Sequence, residues 1–478
     1  MSRSRSADTA VLRLDRRSRT PLFRQLYDRI RDAIADATLR PGDRLPSTRV
    51  LVAQLAAARG TVDLAYNLLA SEGYLESRGA AGTFVATRLN GLSGAVTAFG
   101  KPGGKRSRRR PPATDNKGIA PFQMGLPALD AFPRKLWSRL AARRARMLPL
   151  HAMLAPDTPG YGPLRDAIAS YVTVSRGVAC TADHVIVTPG FQGALGLIAR
   201  ALMTAGDAIW FEDPGYFVAR LTLETCGARL VPLPVDAEGM DVEAGIAAAP
   251  HARFAYVTPS HQAPLGVALS LPRRLELLAW AAAADAFIIE DDYDSEFRYG
   301  SRPLPALKSL DGGDRVLYVG SFSKVLFPGL RLGYVVAPES VLDRLHEVFR
   351  LLYRDRQLLA QAITGDFMAE GHFARHIRRM RALYARRRDA LAFALEQVFD
   401  GRIAIQLAEG GMHLLVRSAD FVNDEEIVAR AKAHGLAPAP LSAWGIARVE
   451  QGLLLSFTNV PEESALSAAR RLKRALAR

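Results

Sequence analysis

Apolar side chains at Leu22, Leu26, Ile30, Ala33 and Ile34 fall on one face of a helix, and they predict one over "TPLFRQLYDRIRDAIAD". Thr20 reads as its N-cap and Pro21 as its first helical residue. After the turn-rich "LRPGDRLPSTR", Ser47 predicts the cap of a second helix carrying Leu51 and Leu55. A third helix in "AARGTVDLAYNLLASEGYL" would turn Val62, Ala65 and Leu69 inward. Two short alternating stretches, "YLES" and "TFVA", joined by "RGAAG", predict a hairpin. Periodicity then disappears in a Gly-, Pro- and Arg-rich stretch that includes "GKPGGKRSRRRPP". Beyond it, apolar strand-like runs alternate with amphipathic helices to the end, the pattern of an α/β fold, with no internal repeat.

Three regions follow: a helical head over residues 11–88, a flexible basic linker over 89–118, and a large α/β body over 119–478. A length of 478 residues agrees with two or three domains. Charge sharpens the division. Residues 1–112 hold 21 Lys and Arg against 9 Asp and Glu, a net +12 of the whole chain's +15. A basic head on a near-neutral body points to a polyanion as the head's partner. The linker's basic cluster reads equally as extra phosphate contacts or as a means of keeping the linker extended. Two distant cysteines, Cys180 and Cys226, give no disulfide framework or metal pattern and suit a reducing cytoplasm. "MSRSRSADTA" lacks a signal peptide's apolar core, and Asp285 interrupts the most apolar run, so no membrane is expected.

Three helices and a hairpin describe a winged helix-turn-helix, in which the start of the third helix enters the major groove. Arg59 and Thr61 would then face DNA, Arg49 would meet a phosphate or base edge, and Arg78 with Gly82 at the hairpin tip would approach the backbone or minor groove. "PGDRLPSTR" followed by "TVDLAYNLLASEGYLESRGAAGTFVA" resembles the DNA-binding domain of GntR-type bacterial regulators over nearly all of residues 20–86. Ala58 stands where those relatives usually carry a serine, and Gly60 and Asp63 are unusual at a DNA-facing helix start. The competing reading is a three-helix interaction module.

In the body, "YVGSFSKVLFPGLRLGYVV" sets Lys324 after two serines and ahead of an arginine. A desolvated lysine amine forms Schiff bases with aldehydes, of which pyridoxal phosphate is the usual one. A pocket for it needs a phosphate cradle, an acid opposite the ring nitrogen, an aromatic stacker and a hydroxyl donor. Ser321, Ser323 and Arg331 suit the phosphate. So do the backbone N–H groups of Gly190, Phe191 and Gln192 at a predicted helix start. "AFIIEDDYDSEF" reads as a buried strand ending in acids, and "FEDPGYF" ends a strand with Tyr216. Each piece alone is weak; their order and spacing together are the signal.

Together these pieces resemble fold-type I aminotransferases, and the head-plus-body arrangement is similar to the MocR subfamily of GntR regulators. The resemblance implies a large mixed-sheet domain with a smaller C-terminal α+β domain, and a homodimer. It implies that Lys324 is the Schiff-base lysine, Asp291 rather than Asp292 the ring-nitrogen partner, Tyr293 the donor to the ring oxygen, and Tyr216 the stacker. "PSHQAPLG" departs from the aminotransferase "NPTG": Ala263 replaces the asparagine, leaving His261 or Gln262 to substitute. "GLLLSFTNV" has Leu453 and Leu454 around the place of the usual carboxylate-gripping arginine, with Arg448 and Arg417 as less suitable replacements. The resemblance therefore implies a pyridoxal phosphate-dependent transcription regulator that binds operator DNA and senses an amine, an amino compound or a B6 vitamer. The alternatives are a working aminotransferase with a regulatory head, and a DNA-binding protein whose body is only a dimerisation scaffold.

Overall fold

The computed structural model describes residues 14–86 except 17, 19 and 37, then 118–148, 159–299, 304–353 except 313, and 357–476 except 448. The chain divides into two compact units, Met1–Ala113 and Thr114–Arg478. The expected linker, apart from Gly118, and Arg448 lie outside the described residues.

In the first unit, helices α1 (Leu22–Ala35), α2 (Thr48–Leu55) and α3 (Arg59–Ser71) precede an antiparallel hairpin of β1 (Leu75–Ser77) and β2 (Thr83–Val85). Leu26, Ile30, Leu51, Val62, Ala65, Leu69 and Val85 are fully buried in one cluster, the inward faces that the helical spacing predicts. Each such large aliphatic side chain contributes about 1.5–3 kcal/mol when removed from water. Ser47 caps α2, its Oγ accepting from Val50 N–H at 3.3 Å. Thr20 does not cap α1. Pro21 is the N-cap, its ψ of 141° keeping it extended, so the helix begins one residue later than expected. The entering chain is tied instead by Gln25, whose Nε2 donates to the carbonyls of Thr20 at 2.7 Å and Asp15 at 2.9 Å.

The second unit opens with α4 (Arg134–Arg146) and α5 (Gly162–Arg176) and then builds one large mixed sheet. Its elements in chain order are β3 (Val185–Thr188), α6 (Gly190–Leu202), β4 (Ala208–Asp213), α7 (Phe217–Thr225), β5 (Arg229–Asp236), β6 (Gly239–Met240) and α8 (Val242–Ala248). Next come β7 (Phe254–Val257), α9 (Leu271–Ala283), β8 (Phe287–Asp292), β9 (Val316–Ser321) and β10 (Gly333–Val336). The strand order is β3-β10-β9-β8-β7-β4-β5-β6, with β10 and β6 antiparallel to their neighbours and the centre parallel. The central strands are continuous apolar runs because both faces are covered. Phe211, Tyr256, Ile289 and Val319 meet α6 on one side, while Trp210, Ala255 and Ile288 meet Leu277 and Trp280 of α9 on the other.

Helices α10 (Glu339–Leu352), α11 (Leu358–Ala369) and α12 (His372–Phe399) lead to the smaller C-terminal part. There β11 (Ala404–Gln406), β12 (His413–Arg417), β13 (Ala439–Pro440) and β14 (Leu453–Ser456) form an antiparallel sheet ordered β11-β12-β14-β13, packed with α12, α13 (Asp424–Ala433) and α14 (Ala465–Leu476). This is the mixed-sheet body with a smaller α+β part that the resemblance implies. Among the described residues no helix is long and apolar enough to cross a membrane. Ser47→Ala should lower the stability of the head by about 1 kcal/mol, read from its unfolding transition in urea.

Candidate cofactor site and nucleic-acid face

Strand register brings the expected body residues to one end of the sheet. Strands β4, β7, β8 and β9 run parallel, so their C-terminal ends share an edge, the place where open α/β sheets bind ligands. Asp291 sits opposite Val319 and Asp292 opposite Gly320, while Gly333 of β10 faces both Ser321 and Thr188.

Lys324 lies in the loop after β9. Its Nζ donates to the Gly125 carbonyl at 3.1 Å, and burial holds the ammonium below the usual lysine range against the pull of Asp294 and Asp291. Gly125 has φ +78°, and a Cβ there would lie 2.6 Å from Nζ, so the backbone can approach only without a side chain.

Asp291 and Asp292 point to opposite faces of β8, as successive strand residues do. Asp292 accepts from Arg176 Nε at 2.7 Å and Tyr318 Oη at 2.5 Å. Asp291 faces Lys324's side, and its one hydrogen-bond donor among the described residues is Tyr256 Oη at 2.5 Å. Burial pushes the Asp291 carboxyl up to about 8, and the Tyr256 hydrogen bond only partly offsets that. Tyr293 Oη lies 2.9 Å from His261 Nδ1, which also stands 3.1 Å from Asp294 Oδ2.

Tyr216 is placed by a tight loop. A Cβ on Gly215 would strike the Glu212 carbonyl, and Asp213 accepts from the backbone N–H groups of Ile446 and Ala447 at 2.7 and 2.8 Å. The Tyr216 ring stands 5.7 Å from both Phe191 and Trp444, and its phenol feels Asp291 and Arg331. At the opposite end, α6 begins at Gly190, and its first N–H groups point out of the helix. Gly190 approaches the Arg331 backbone, and a Cβ on Gly333 would lie 2.9 Å from the Gly190 carbonyl carbon. Arg331 is exposed, left-handed at φ +51°, and its Nη2 reaches Gln192 Oε1 at 3.5 Å. Ser321 Oγ accepts from Ser323 N–H at 3.2 Å.

Gln262 does not turn toward this pocket. Its amide nitrogen donates to Pro214 O at 2.8 Å and Ala263 O at 3.0 Å, and its oxygen accepts from Leu265 N–H at 2.9 Å. Leu453 and Leu454 are fully buried in β14, Leu454 packing with Ala263, Leu265, Leu441 and Trp444. Arg417 is held by Gln406 at 2.8 Å and Glu450 at 2.9 Å. Sequence reasoning missed Gly125, Asp294 and Tyr256. A tyrosine inside the buried run "FAYV" was the available signal for Tyr256, since a buried phenol needs a partner.

The residues fit pyridoxal phosphate. A buried carboxylate that makes no ion pair among the described residues matches a protonated ring nitrogen, and an amine held below its ordinary range lies on the same side. The hydroxyls, Arg331 and the α6 N-terminus gather where a phosphate would bind.

In the head, Arg59 opens α3 with its side chain 84% exposed, and a 3.4 Å contact to Asp63 one turn on restrains it only weakly. Arg49 is exposed and Thr61 partly so. Arg78 pairs with Glu76 and lies 4.6 Å over the Phe84 ring. Gly82 has φ +108°, and a Cβ there would lie 3.0 Å from Arg44 Nε, which adds exposed Arg44 to this face.

Residues 22–85 match the family described as bacterial regulatory proteins, gntR family, and residues 150–437 match aminotransferase class I and II. The chain is 38% identical over 458 residues to a probable rhizopine catabolism regulatory protein, MocR, of Rhizobium meliloti, covering 94% of this chain and 92% of that one. It is 33% identical to the pyridoxine biosynthesis transcriptional regulator PdxR of Corynebacterium glutamicum, covering 93% and 94%. Among solved structures, the α-aminoadipate aminotransferase LysN of Thermus thermophilus, complexed with N-(5'-phosphopyridoxyl)-L-leucine, overlays with TM-score 0.68 at 30% identity, covering 76% of this chain and 92% of that one.

The raised Asp291 carboxyl sets a pH dependence. Its folded value near 8 exceeds the unfolded 3.8, so the cofactor-free chain binds this proton more tightly when folded. That contribution is complete below about pH 4 and is lost as pH rises through about 8. Glu212 and Glu290, pushed up by burial to about 7, act in the same direction. Asp291→Asn should therefore remove about 2 kcal/mol of the stability lost between pH 6 and pH 8, measured by urea unfolding at both pH values.

Proposed function

The chain belongs to the MocR-type subfamily of GntR transcriptional regulators, and from that premise we propose that its body holds pyridoxal phosphate and senses an amine by Schiff-base exchange at Lys324. The head binds operator DNA, as GntR heads do. The observation that carries the reading is the pairing of a desolvated Lys324 with a buried Asp291 that makes no ion pair among the described residues. Bound cofactor supplies an aldehyde for condensation with amines and a ring that withdraws electrons. Asp291 would hold the ring nitrogen protonated, Tyr293 would donate to the ring oxygen and Tyr216 would stack on the ring. Ser321, Ser323, Arg331 and the N–H groups of Gly190, Phe191 and Gln192 would bind the phosphate.

An incoming amine, amino compound or B6 vitamer would take the place of Lys324, and the freed lysine would bias how two heads of a cytoplasmic homodimer meet their half-sites. Thermodynamic linkage then requires that DNA binding change effector affinity by the same factor. Buried Leu453 and Leu454 in β14 favour sensing over efficient turnover of α-amino acids, because neither side chain can grip a carboxylate.

Three results test this. Lys324→Ala should fold yet lose the borohydride-fixed pyridoxyl adduct that mass spectrometry finds on the unaltered chain; labelling that persists would refute the assignment. Arg59→Ala should weaken binding to a selected operator by about 1–3 kcal/mol, with a smaller loss on random DNA. Steady-state amino-group transfer to a keto acid at about 1 per second or faster would mark the chain as an enzyme instead.

A further inference from the structure

Behind Tyr293 lies a cavity of about 110 Å³, bounded by Arg176, Ser260, Asp294 and Ser295 from the sheet domain and by Glu409 and Gly411 ahead of β12. His261 lines it too. Two of its lining residues, His261 at Nε2 and Ser295 at Oγ, carry buried polar atoms with no hydrogen-bond partner among the described residues, and a third, Asp294, sets Oδ2 3.1 Å from His261 Nδ1. His261, Ser295 and Asp294 are 6%, 5% and 1% exposed. Buried polar atoms beside a space this large are met by ordered water, which both donates and accepts.

The His261 ring is clasped between two glycines in left-handed backbone. A Cβ on Gly266, at φ +75°, would lie 3.1 Å from Nε2, and one on Gly411, at φ +86°, would lie 2.1 Å from the ring's Cε1. This clasp fixes Nδ1 on Tyr293. The surrounding charges are largely matched. Arg176 is engaged by Asp292, Ser260 and the Leu304 carbonyl, and Arg298 pairs with Glu409. His413, edge-on to His261 with centroids 5.6 Å apart, is pushed down to about 4 by burial and stays neutral. Lys324, Asp294, Asp291 and Glu212 are the other titratable groups that act on the pair.

We propose that His261 is a positioning residue that couples the Tyr293 hydroxyl to this water-filled cavity, acting as a tautomer switch. The inference rests on the cofactor reading above. A neutral imidazole has one N–H and the phenol one proton. Without an acceptor on the cofactor side, Tyr293 donates to Nδ1, and the imidazole proton sits on Nε2, facing cavity water. When Tyr293 donates instead to an acceptor in the cofactor pocket, its oxygen is matched only if Nδ1 carries the proton. The exchange balances: the phenol turns its own proton to the acceptor, Nδ1 takes one proton from cavity water by way of Asp294 Oδ2, 3.1 Å away, and Nε2 returns one to that water. Asp294 steadies the imidazole while it holds both.

The test is a pH titration of the visible band of the full chain loaded with pyridoxal phosphate. The unaltered protein, His261→Gln, Tyr293→Phe and the double variant would be compared, with thermal melting as a check on folding. A hydrogen bond to the charged ring oxygen favours that charged form, so weakening it raises the midpoint. His261→Gln should raise it by about one pH unit, Tyr293→Phe by at least as much, and the double variant no further than Tyr293→Phe alone. An unmoved midpoint in a folded His261→Gln, or additive shifts in the double variant, would overturn the proposal. Should His261→Gln fail to fold, nitrogen-15 spectra of the unaltered chain's histidines decide: one imidazole passing from Nε2–H to Nδ1–H on adding pyridoxal phosphate supports the switch, and no change rejects it. An unaltered chain with no visible band at all would sink the cofactor reading itself.

Discussion

Two neighbouring carboxylates at the end of a strand buried on both faces cannot both stay ionised without help, because an uncompensated charge in an apolar interior is costly. The β8 pleat resolves this by sending them to opposite sides. Asp292 goes to the side where Arg176, itself held by Ser260 and the Leu304 carbonyl, supplies the counter-charge. Asp291 goes to the side of Lys324, where the Tyr256 phenol is its one hydrogen-bond donor among the described residues. The sheet's parallel centre then determines what else can gather there, since only its C-terminal edge brings Tyr216, Lys324 and the β9–β10 loop to the same place.

The phosphate end shows the same economy of parts. Strands β9 and β10 run antiparallel through a short connection, and Gly333 and Gly190 allow strand and helix to touch backbone to backbone. That contact points the first turn of α6 at the loop carrying Ser321, Ser323 and Arg331. The left-handed Arg331 is a strained backbone position in the loop proposed to bind phosphate, and such strain tends to collect at binding loops.

Much of this was legible from the chain. Helical spacing located the head's core from Leu26 to Leu69, because a short helix over a small core leaves little freedom in which face turns inward. In the body, the order of "GFQG", "PGY", "EDDY" and "SFSK" announced a shared edge, since strand ends in a parallel sheet are adjacent whatever the intervening length. Other features depend on long-range geometry that local pattern does not encode. Thr20 lost the cap of α1 to Pro21 because Gln25 could tie the entering chain. Gln262 was claimed by the Pro214 and Leu265 backbone, leaving His261 to meet Tyr293. The sorting of Asp291 from Asp292 needed Arg176, more than a hundred residues away.

The Gly125 carbonyl belongs to a strap that crosses the C-terminal sheet: Phe122 O accepts from Ser456 N–H at 3.2 Å, Pro121 O from Ala437 N–H at 2.9 Å, and Ala120 O from Asn459 Nδ2 at 3.0 Å. These fastenings are structural, made by backbone and an amide. The one at Gly125 is made by a reactive nitrogen. A free ammonium offers three hydrogens, whereas an amine condensed with an aldehyde keeps at most one. The anchorage of residues 120–125 on the body is therefore part mechanical and part chemical.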